Sequence, residues 1–370
     1  MNLQKNKRVI ISGGGTGGHI FPAIAIANAL KKLVPDVEIL FVGALGRFEM
    51  DLVPRAGYNI VGLPVAGINR KNPFKNISVL FRFIKSLKIA GRIIRDFRPD
   101  VVVGVGGYAS GPVIKKALSE NIPVLIQEQN SYAGITNRLF AKKASVICVA
   151  YDGMEKYFPA SRIIKTGNPL RQSISNIEEL KEEALRYFNV KGGAPVVLVL
   201  GGSLGAGSIN KCLAGNIEKI RDSGLFWIWQ TGRNYFEDIN ALVSVTQSGN
   251  ISVYPFIERM DLAYSIADII ISRAGAGTIS ELCLAGKPVI LIPSPNVAED
   301  HQTKNALALA GKEAAVVVND SEVNQKLIEE VLSLAGDAEK RNRLSENIRK
   351  LAIADADRRI AEEIVKLMNR

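Results

Sequence analysis

Glycine clusters that follow short apolar runs are the parts of this chain best suited to chemistry on a ligand. The run RVIISGGGTGGH occupies residues 8–19, and VVLVLGGSLGA repeats its layout at residues 196–206. Glycine lets the backbone turn sharply and approach a ligand closely, and the helix that follows presents unpaired N–H groups to it. The two clusters predict two phosphate sites, in two nucleotide-fold domains that face each other across a cleft.

Further glycine-rich and polar stretches follow other predicted strands. They are GVGGYASG at 104–111, QEQN at 127–130, SRAGAGTISEL at 272–282 and PSPNVAEDHQ at 293–302. Ligands of open α/β sheets bind at the carboxyl ends of the strands, so these stretches are expected to line binding sites. The loops at 13–18 and 104–111 would together offer a row of N–H donors suited to a diphosphate.

The residues around the first cluster argue against the common nucleotide cofactors. Residues 13–18 fit the dinucleotide pattern G-x-G-x-x-G, but the strand at 39–43 ends without the acidic residue that holds a ribose. His19 and Ile20 stand where an ATP-binding loop needs Lys and then Ser or Thr. Two histidines, and three cysteines without CxxC spacing, build no zinc site. The sequence therefore predicts neither a cofactor nor a metal.

Two side chains at these predicted strand ends are candidates for proton transfer. His19 lies at the mouth of the first glycine turn, and imidazole titrates near neutral pH, which favours a general base or a donor to phosphate. The alternative is a histidine that caps or packs at the start of a helix. Glu128 is the second candidate, and its alternatives are a structural partner or a solvated loop carboxylate.

Strands and helices alternate through most of the chain, which predicts an α/β fold. A length of 370 residues exceeds what one core usually holds and predicts two domains. Parallel strands joined by right-handed helical crossovers make each domain doubly wound. The first helix is expected over 24–33, and the loop at 167–171 is expected to separate the domains. The expected strands are 9–12, 38–42, 100–105, 123–126, 145–149 and 163–166, then 196–200, 225–230, 251–254, 269–272, 289–292 and 315–318.

The net charge of +11 indicates an acidic partner. Basic residues concentrate at 73–98, where they alternate with apolar residues in the pattern of an amphipathic helix. Such a helix can lie on an anionic membrane surface, or it can cover a sheet with its charges in water. Interleaved base-stacking aromatics are missing, so no nucleic-acid partner is expected. The sequence shows neither a leader nor an apolar run of about 18–20 residues, which predicts a cytoplasmic protein.

In combination, these motifs resemble the family of bacterial peptidoglycan glycosyltransferases that add N-acetylglucosamine to lipid I. The resemblance implies a GT-B fold, in which two Rossmann-like domains face each other across a cleft. It implies an acceptor-binding domain over 1–170, a UDP-sugar-binding domain over 171–354, and a C-terminal helix at 355–370 that returns to the first domain. The matching stretches, in order over residues 8–306, are GGGTGGH with IFPA, GVGGYASGP, QEQNSYAGITNR, TGNPLR, GGSLGAGSIN, SRAGAGTISE and DHQTKNA.

The resemblance also implies which residues bind the two substrates. Ile257 would meet the uracil of UDP-N-acetylglucosamine through backbone groups, and Glu281 would meet the ribose. Leu204 and His301 depart from glutamines found in many or some members, and the first departure puts one polar contact in doubt. The implied donor-binding residues are Thr16, Gly17, Gly18, Asn130, Arg171, Ser203, Ile257, Ala276, Gly277, Thr278, Ile279, Ser280, Glu281 and Gln302. The implied acceptor-binding residues are Gly15, Gly106, Gly107 and Tyr108.

The implied reaction is a single displacement that inverts the anomeric carbon, with His19 as base and Glu128 as second choice. Its acceptor, lipid I, is a polyprenyl diphosphate, which implies contact with the anionic inner leaflet at the cytoplasmic face of the cell membrane. Another UDP-sugar transferase, a UDP-sugar epimerase and a nicotinamide oxidoreductase remain as alternatives, although the missing strand-end acid argues against the last of these.

Overall fold

Two separate parallel sheets organise the chain. The structure, a computed structural model, describes residues 6–14, 17–67, 76–170, 177–190, 193–202, 205–246, 248–297 and 300–370. The chain divides into unit 1, Met1–Arg171 with Asp355–Arg370, and unit 2, Gln172–Ala354. Each unit holds one of the sheets, and the last helix of the chain belongs to unit 1.

The sheet of unit 1 has seven strands among the described residues, in the order β3-β2-β1-β4-β5-β6-β7. Every neighbouring pair is parallel. The order reverses direction between β1 and β4, and such a switch point is where open α/β sheets bind ligands. The strands are β1 Arg8–Ser12, β2 Glu38–Ala44, β3 Asn59–Leu63, β4 Val101–Gly104, β5 Val124–Glu128, β6 Val146–Val149 and β7 Ile163–Lys165.

Helices cover both faces of this sheet. Successive strand residues point to opposite faces, so Val9 and Ile11 contribute to one buried cluster while Ile10 contributes to another. The first cluster includes apolar residues of the first and last helices, and the second includes those of α3, α4 and α5. The helices are α1 Gly17–Leu33, α2 Glu49–Arg55, α3 Asn76–Phe97, α4 Ser110–Ser119, α5 Ile135–Phe140 and, at the end of the chain, α15 Ala356–Met368.

The sheet of unit 2 has six parallel strands among the described residues, in the order β10-β9-β8-β11-β12-β13. Its switch point lies between β8 and β11. The strands are β8 Val196–Leu200, β9 Phe226–Gln230, β10 Ile251–Tyr254, β11 Ile269–Ser272, β12 Val289–Leu291 and β13 Val316–Val317. The helices are α6 Lys181–Tyr187, α7 Gly207–Gly215, α8 Ile217–Arg221, α9 Phe236–Val245, α10 Met260–Ile266, α11 Ala276–Ala285, α12 His301–Ala310, α13 Val323–Gly336 and α14 Ala338–Arg349.

The predicted fold class, two doubly wound parallel α/β domains, is confirmed. Strand β3 was not predicted, because this edge strand beside β2 is only partly buried and its sequence lacks a continuous apolar run. It also placed the start of the first helix at residue 24, whereas α1 begins at Gly17 and contains Pro22. A proline inside a helix removes one backbone hydrogen bond, and α1 continues through it.

The predicted basic helix at 73–98 corresponds to α3, which begins at Asn76. Phe74 and Lys75, which the prediction included, lie outside the described residues. Ala90 and Ile94 are buried against the sheet, whereas Phe81 is 69% exposed. The carboxyl-terminal half of α3 therefore anchors the helix, and its amino-terminal half presents an aromatic ring to the surroundings.

Within the described ranges, no helix combines the length and the apolar character that crossing a bilayer requires.

Helix α15 packs with α1 against one face of the unit 1 sheet. Its contribution to stability can be tested by truncating one of its buried side chains. Ile360 is fully buried in the cluster that also contains α1. We expect Ile360→Ala to lower the free energy of unfolding by about 2–4 kcal/mol, because a cavity replaces buried methyl groups.

The measurement is urea unfolding followed by far-UV circular dichroism, because Trp227 and Trp229 both lie in unit 2 and tryptophan fluorescence would report that unit. Arg358→Ala is the control, since Arg358 lies on the same helix with an exposed side chain that pairs with Glu362. Equal stability of the two variants would contradict the anchoring role of α15.

Candidate active site

The carboxyl ends of β1 and β4 meet at the switch point of unit 1. A Cβ built at Gly13 would lie 2.2 Å from Cγ2 of Val105, which immediately follows β4. Gly107 has a φ of +82°, and a Cβ there would lie 2.2 Å from the carbonyl oxygen of Gly14. The two loops thus touch backbone to backbone, and only glycine allows this approach. The predicted juxtaposition of the two glycine loops is present in the structure.

His19 lies in the first turn of α1, at this same edge of the sheet. Its Nδ1 lies 3.1 Å from Oε1 of Gln129, which follows β5. Its ring lies so close to the second glycine loop that a Cβ at Gly106 would be 3.0 Å from Cε1. The predicted base candidate is therefore next to the loops that the family resemblance assigns to the acceptor.

Glu128 is buried at the end of β5, and both of its carboxylate oxygens accept hydrogen bonds. Oε1 accepts from the backbone N–H and the side-chain amide of Asn130, at 3.0 and 3.2 Å. Oε2 accepts from the N–H of Gly134 and the side-chain amide of Asn137, both at 2.9 Å. A carboxylate has about four acceptor positions, and these donors occupy them. The contacts favour the structural alternative for Glu128, as an anchor for the loop that begins α5.

Two further predicted residues lie close to these loops. The side chain of Asn130 is held against Glu128, which fixes where its amide lies at the end of β5. Tyr108 is 52% exposed, and a Cβ at Gly67 would lie 2.8 Å from its Cε2, so the ring rests on that glycine. Asn130 is therefore fixed at the end of β5, and Tyr108 packs on Gly67 with about half of its surface exposed.

Glu49 is a residue of this site that sequence reasoning missed. It is fully buried at the start of α2, and Oε1 accepts a hydrogen bond from the N–H of Ala44 at 3.1 Å. A Cβ at Gly14 would lie 2.1 Å from Oε1, and one at Gly43 would lie 2.9 Å from Cγ. The absence of side chains at Gly14 and Gly43 makes space for the Glu49 side chain. The local sequence does not indicate that Glu49 is the residue that occupies this space.

The glycine loop of unit 2 is built in the same way at the end of β8. Gly205 has a φ of +85°, and a Cβ there would lie 2.2 Å from the carbonyl oxygen of Thr231 and 2.7 Å from Cδ2 of Tyr235. A Cβ at Gly207 would lie 2.8 Å from the hydroxyl of the same tyrosine. Gly205 and Gly207 therefore lie against the segment that follows β9 and the Tyr235 ring, at the point where the chain enters α7.

Helix α11 begins at the end of β11 and presents its amino terminus there. The first hydrogen bond within the helix runs from the N–H of Ile279 to the carbonyl oxygen of Gly275, at 2.8 Å. The N–H groups of Gly277 and Thr278 precede that bond and point out of the amino-terminal end of the helix. The first turn contains no acidic residue. This terminus therefore carries the positive dipole end that favours an anion.

Glu281 lies on the second turn of α11, and Tyr264 of α10 donates a hydrogen bond from its hydroxyl to Oε2 at 3.3 Å. Tyr264 is fully buried, and burial together with the Glu281 charge raises its pKa well above the usual value. The tyrosine hydroxyl therefore stays protonated and remains a donor. Ser280, one residue earlier, donates its hydroxyl hydrogen to the carbonyl oxygen of Ala276 at 3.1 Å.

Gln302, on the first turn of α12, joins two of the predicted loops. Its Oε1 accepts hydrogen bonds from the N–H of Ala274 at 3.2 Å and from the N–H of Ser294 at 2.8 Å. The side-chain oxygen is therefore occupied, and any contact of this residue with a sugar falls to its amide nitrogen.

Ile257 is buried, and its backbone N–H donates to Oε1 of Gln230 at 2.9 Å. Because the N–H group is already bonded, the expected backbone contact of Ile257 with uracil would be made by its carbonyl oxygen. Gln230 lies at the end of β9, so a side chain from the sheet itself fixes this part of the chain.

Arg273 is a second residue whose role sequence reasoning missed. Its guanidinium donates to the carbonyl oxygens of Ile292 and Pro293, at 3.1 and 3.3 Å, and to the hydroxyl of Ser208 at 2.8 Å. It also forms an ion pair with Asp320 at 2.5 Å. One side chain thus ties the loop after β11 to α7 and to the loop after β12, through contacts between residues far apart in sequence.

Four predicted site residues, Gly15, Thr16, Arg171 and Ser203, lie outside the described residues, as does Leu204. Among the residues that are described, no group of three or more His, Cys, Asp or Glu side chains is placed to hold a metal ion.

Both halves of the chain match one enzyme family. The "Glycosyltransferase family 28 N-terminal domain" matches residues 9–149, and the "Glycosyltransferase family 28 C-terminal domain" matches residues 196–363. The chain belongs to glycosyltransferase family 28. It is therefore an enzyme, and the resemblance seen in the sequence motifs is confirmed.

Curated relatives of this family 28 glycosyltransferase match it over nearly its whole length. A protein of Parabacteroides distasonis is 55% identical over 99% of this chain and 100% of its own length. A protein of Porphyromonas gingivalis strain W83 is 54% identical over 98% of this chain and 96% of its own length. Both are named UDP-N-acetylglucosamine--N-acetylmuramyl-(pentapeptide) pyrophosphoryl-undecaprenol N-acetylglucosamine transferase.

Solved structures of similar fold include a transferase and an epimerase. The crystal structure of Acinetobacter baumannii MurG matches with a TM-score of 0.79 and 29% identity, over 97% of this chain and 99% of that one. A UDP-GlcNAc 2-epimerase from Neisseria meningitidis, bound to UDP-GlcNAc, matches with a TM-score of 0.67 and 17% identity, over 97% and 100%. The second match shows a shared fold alone, and the predicted GT-B architecture is confirmed by the first together with the family.

The structural role of Glu128 in this glycosyltransferase gives a prediction. We expect Glu128→Gln to lower the free energy of unfolding by about 2 kcal/mol, because its new NH2 group would face buried donors in place of an acceptor. The measurement is urea unfolding by circular dichroism. Glu120→Gln, an exposed change in the same unit, is the control. A Glu128→Gln variant as stable as this control would contradict the anchor and restore the case for acid–base chemistry at Glu128.

Proposed function

We propose that this enzyme transfers N-acetylglucosamine from UDP-N-acetylglucosamine to the 4-hydroxyl of undecaprenyl-diphospho-N-acetylmuramoyl-pentapeptide, lipid I, and so forms lipid II for peptidoglycan. The observation that carries the proposal is the relationship to transferases of this one named activity, at 55% identity over 99% of the chain. A match of that extent includes both glycine-loop sites described above.

The donor is assigned to unit 2, where the amino terminus of α11 and the loop after β8 both lie at the switch point. An anion at these positions would face backbone N–H groups, which suits the diphosphate of UDP. Glu281 lies about one turn into α11, where its carboxylate suits two ribose hydroxyls. Arg171 and Ser203 are proposed to hold the nucleotide and diphosphate, and Gln302 with residues 276–280 to surround the sugar.

The acceptor diphosphate is assigned to unit 1, where the two glycine loops meet. Gly106 and Gly107 follow β4, and Gly15 belongs to the loop that follows β1. Backbone N–H groups in such loops bind phosphate because no side chain separates them from the ligand. Tyr108 is exposed beside the second loop and suits a contact with the acceptor. Thr16, Gly17, Gly18 and Asn130 are proposed as the residues of unit 1 that also contact the donor.

The proposed reaction is a direct displacement at the anomeric carbon. The acceptor hydroxyl attacks, the bond to the UDP oxygen breaks, and the configuration inverts from α to β. His19 takes the hydroxyl proton, since its imidazole lies beside the acceptor loops and imidazole is a suitable base near neutral pH. The negative charge that develops on UDP is stabilised by the amino terminus of α11 and by Arg171, which supply that stabilisation from the chain itself.

The membrane contact is assigned to α3 and α5, which carry exposed apolar side chains among basic ones. Phe81 and Ile84 of α3 are 69% and 45% exposed, and Leu139 of α5 is 71% exposed. The two helices adjoin the same part of α4, because a Cβ at Gly111 would lie 3.9 Å from Phe83 of α3 and 3.7 Å from Thr136 of α5. Exposed apolar groups next to cations suit an anionic leaflet. This supports a peripheral position at the cytoplasmic face of the cell membrane.

The reaction is tested by incubating the protein with labelled UDP-N-acetylglucosamine and a lipid I analogue. We expect label in the lipid product, and Glu281→Ala is expected to weaken UDP-N-acetylglucosamine binding roughly tenfold to hundredfold, because a charged hydrogen-bond partner of the ribose is lost. Calorimetric titration of the donor measures this change. Glu237→Ala, an exposed change in the same unit, is the control and is expected to bind normally.

Each other outcome has a distinct meaning. Saturable donor binding without transfer would contradict the acceptor and retain the donor site. Release of UDP with an epimerised free sugar would identify an epimerase on this fold.

The membrane contact is tested by reversing charges on α3. We expect the triple change of Lys85, Lys88 and Arg92 to Glu to abolish most binding to liposomes that contain phosphatidylglycerol, since each cation contributes about 1 kcal/mol at an anionic surface. Flotation assays measure the bound fraction. Reversing Lys211, Lys219 and Lys326 of unit 2 matches the charge change and is the control. Unaltered liposome binding by the α3 variant would favour a helix whose charges are merely solvated.

A further inference from the structure

The contact between His19 and Gln129 carries an inference about proton transfer. Nδ1 of His19 lies 3.1 Å from Oε1 of Gln129. In a neutral imidazole, one ring nitrogen carries the hydrogen and the other carries the lone pair that can accept a proton. The group that Nδ1 faces decides whether Nδ1 carries the hydrogen or the lone pair.

The orientation of the Gln129 amide is fixed by a backbone carbonyl. Its Nε2 donates to the carbonyl oxygen of Val105 at 2.8 Å. A carbonyl oxygen only accepts, so the NH2 group of Gln129 must point toward Val105. The amide oxygen is consequently the atom that faces His19, and an oxygen there requires a hydrogen on Nδ1.

Two more buried amides hold Gln129 in this orientation. Nε2 of Gln129 also donates to Oε1 of Gln127, and Nε2 of Gln127 donates to Oδ1 of Asn168 at 3.1 Å. The side-chain amide of Asn168 donates back to the carbonyl oxygen of Gln129 at 3.0 Å. All three residues are buried. Reversing any one amide would bring like groups together, so the cluster has one consistent arrangement.

The ring of His19 is also confined on a second side. A Cβ at Gly106 would lie 3.0 Å from Cε1 and 3.2 Å from Nδ1, so the imidazole lies against the bare backbone of the acceptor loop. The hydrogen bond to Gln129 therefore sets the tautomer, and the packing against Gly106 limits how far the ring can rotate.

We infer that Gln129 is a positioning residue for the transfer reaction: it holds His19 in the Nδ1–H tautomer and so places the basic lone pair on Nε2. The inference rests on the proposed function in that His19 takes the proton of the acceptor hydroxyl. The proton then moves from that hydroxyl to Nε2 while the oxygen bonds to the anomeric carbon and the bond to UDP breaks. Gln129 itself exchanges no proton.

The tautomer can be measured directly because the chain has only two histidines, His19 and His301. We would label histidine with 15N and record long-range 1H–15N correlation spectra at about pH 8.5, where an ordinary imidazole is neutral. His301→Gln assigns the His19 signals. We expect the Nδ1–H pattern for His19 in the wild-type protein. An Nε2–H pattern there would overturn the inference, whatever any variant does.

Variants at position 129 separate positioning from a merely structural role. Gln129→Met removes the acceptor oxygen at similar length, and we expect its His19 to shift toward the Nε2–H tautomer and kcat to fall roughly tenfold to hundredfold. Gln129→Glu, with its second carboxyl oxygen protonated to donate to the Val105 carbonyl as Nε2 did, keeps an acceptor oxygen beside Nδ1, so we expect it to retain the Nδ1–H tautomer. Gln325→Met, an exposed change on α13, is the control. An unchanged tautomer in Gln129→Met, or equal loss of the tautomer in both variants, would overturn the inference.

Failure of this inference is distinguishable from failure of the proposed function. The spectra need no substrate, so they test the positioning of His19 alone. A correct tautomer in a protein that transfers no sugar to lipid I would retain the inference about the ring and contradict the proposed reaction.

Discussion

The close approach of two backbone loops at one edge of the unit 1 sheet is the constraint on which the rest of that site depends. Gly107 lies so near Gly14 that a Cβ would come within 2.2 Å of its carbonyl oxygen. Because neither loop carries a side chain at this contact, the His19 ring can lie against the second loop while it reaches Gln129. A larger residue at Gly106 or Gly107 would displace the ring, the loop or both, so the same contact sets the positions of the proposed phosphate site and the proposed base.

In unit 2, the proposed nucleotide site is built on a helix terminus in place of paired loops. The amino terminus of α11 supplies N–H groups, and Tyr264 fixes Glu281 one turn later. Arg273 and Gln302 then join the surrounding loops through contacts to backbone groups. Several polar side chains in both units thus hold backbone groups in place at the strand ends, among them Glu49, Arg273 and Gln302.

Structural features that depend on a local sequence pattern could be predicted, whereas residue roles that depend on contacts between distant parts of the chain could not. Glycine after an apolar run marked the strand ends, because the conformation and close approach there require glycine. The edge strand Asn59–Leu63 was missed because it is only partly buried. Glu49 and Arg273 were missed as organising residues because their partners are backbone groups that only folding brings together. For the same reason Glu128 offered a plausible acid or base until its four donors were known.

The central claim is that His19 accepts the proton of the acceptor hydroxyl and does not contribute to donor binding. The most direct test compares turnover and donor binding in one variant, His19→Ala, with a lipid I analogue as acceptor. We expect kcat to fall at least roughly a hundredfold, as removal of a general base does, while the dissociation constant for UDP-N-acetylglucosamine changes less than about twofold. Turnover within a few-fold of the wild-type protein would contradict the claim, and so would a loss of activity explained wholly by weaker donor binding.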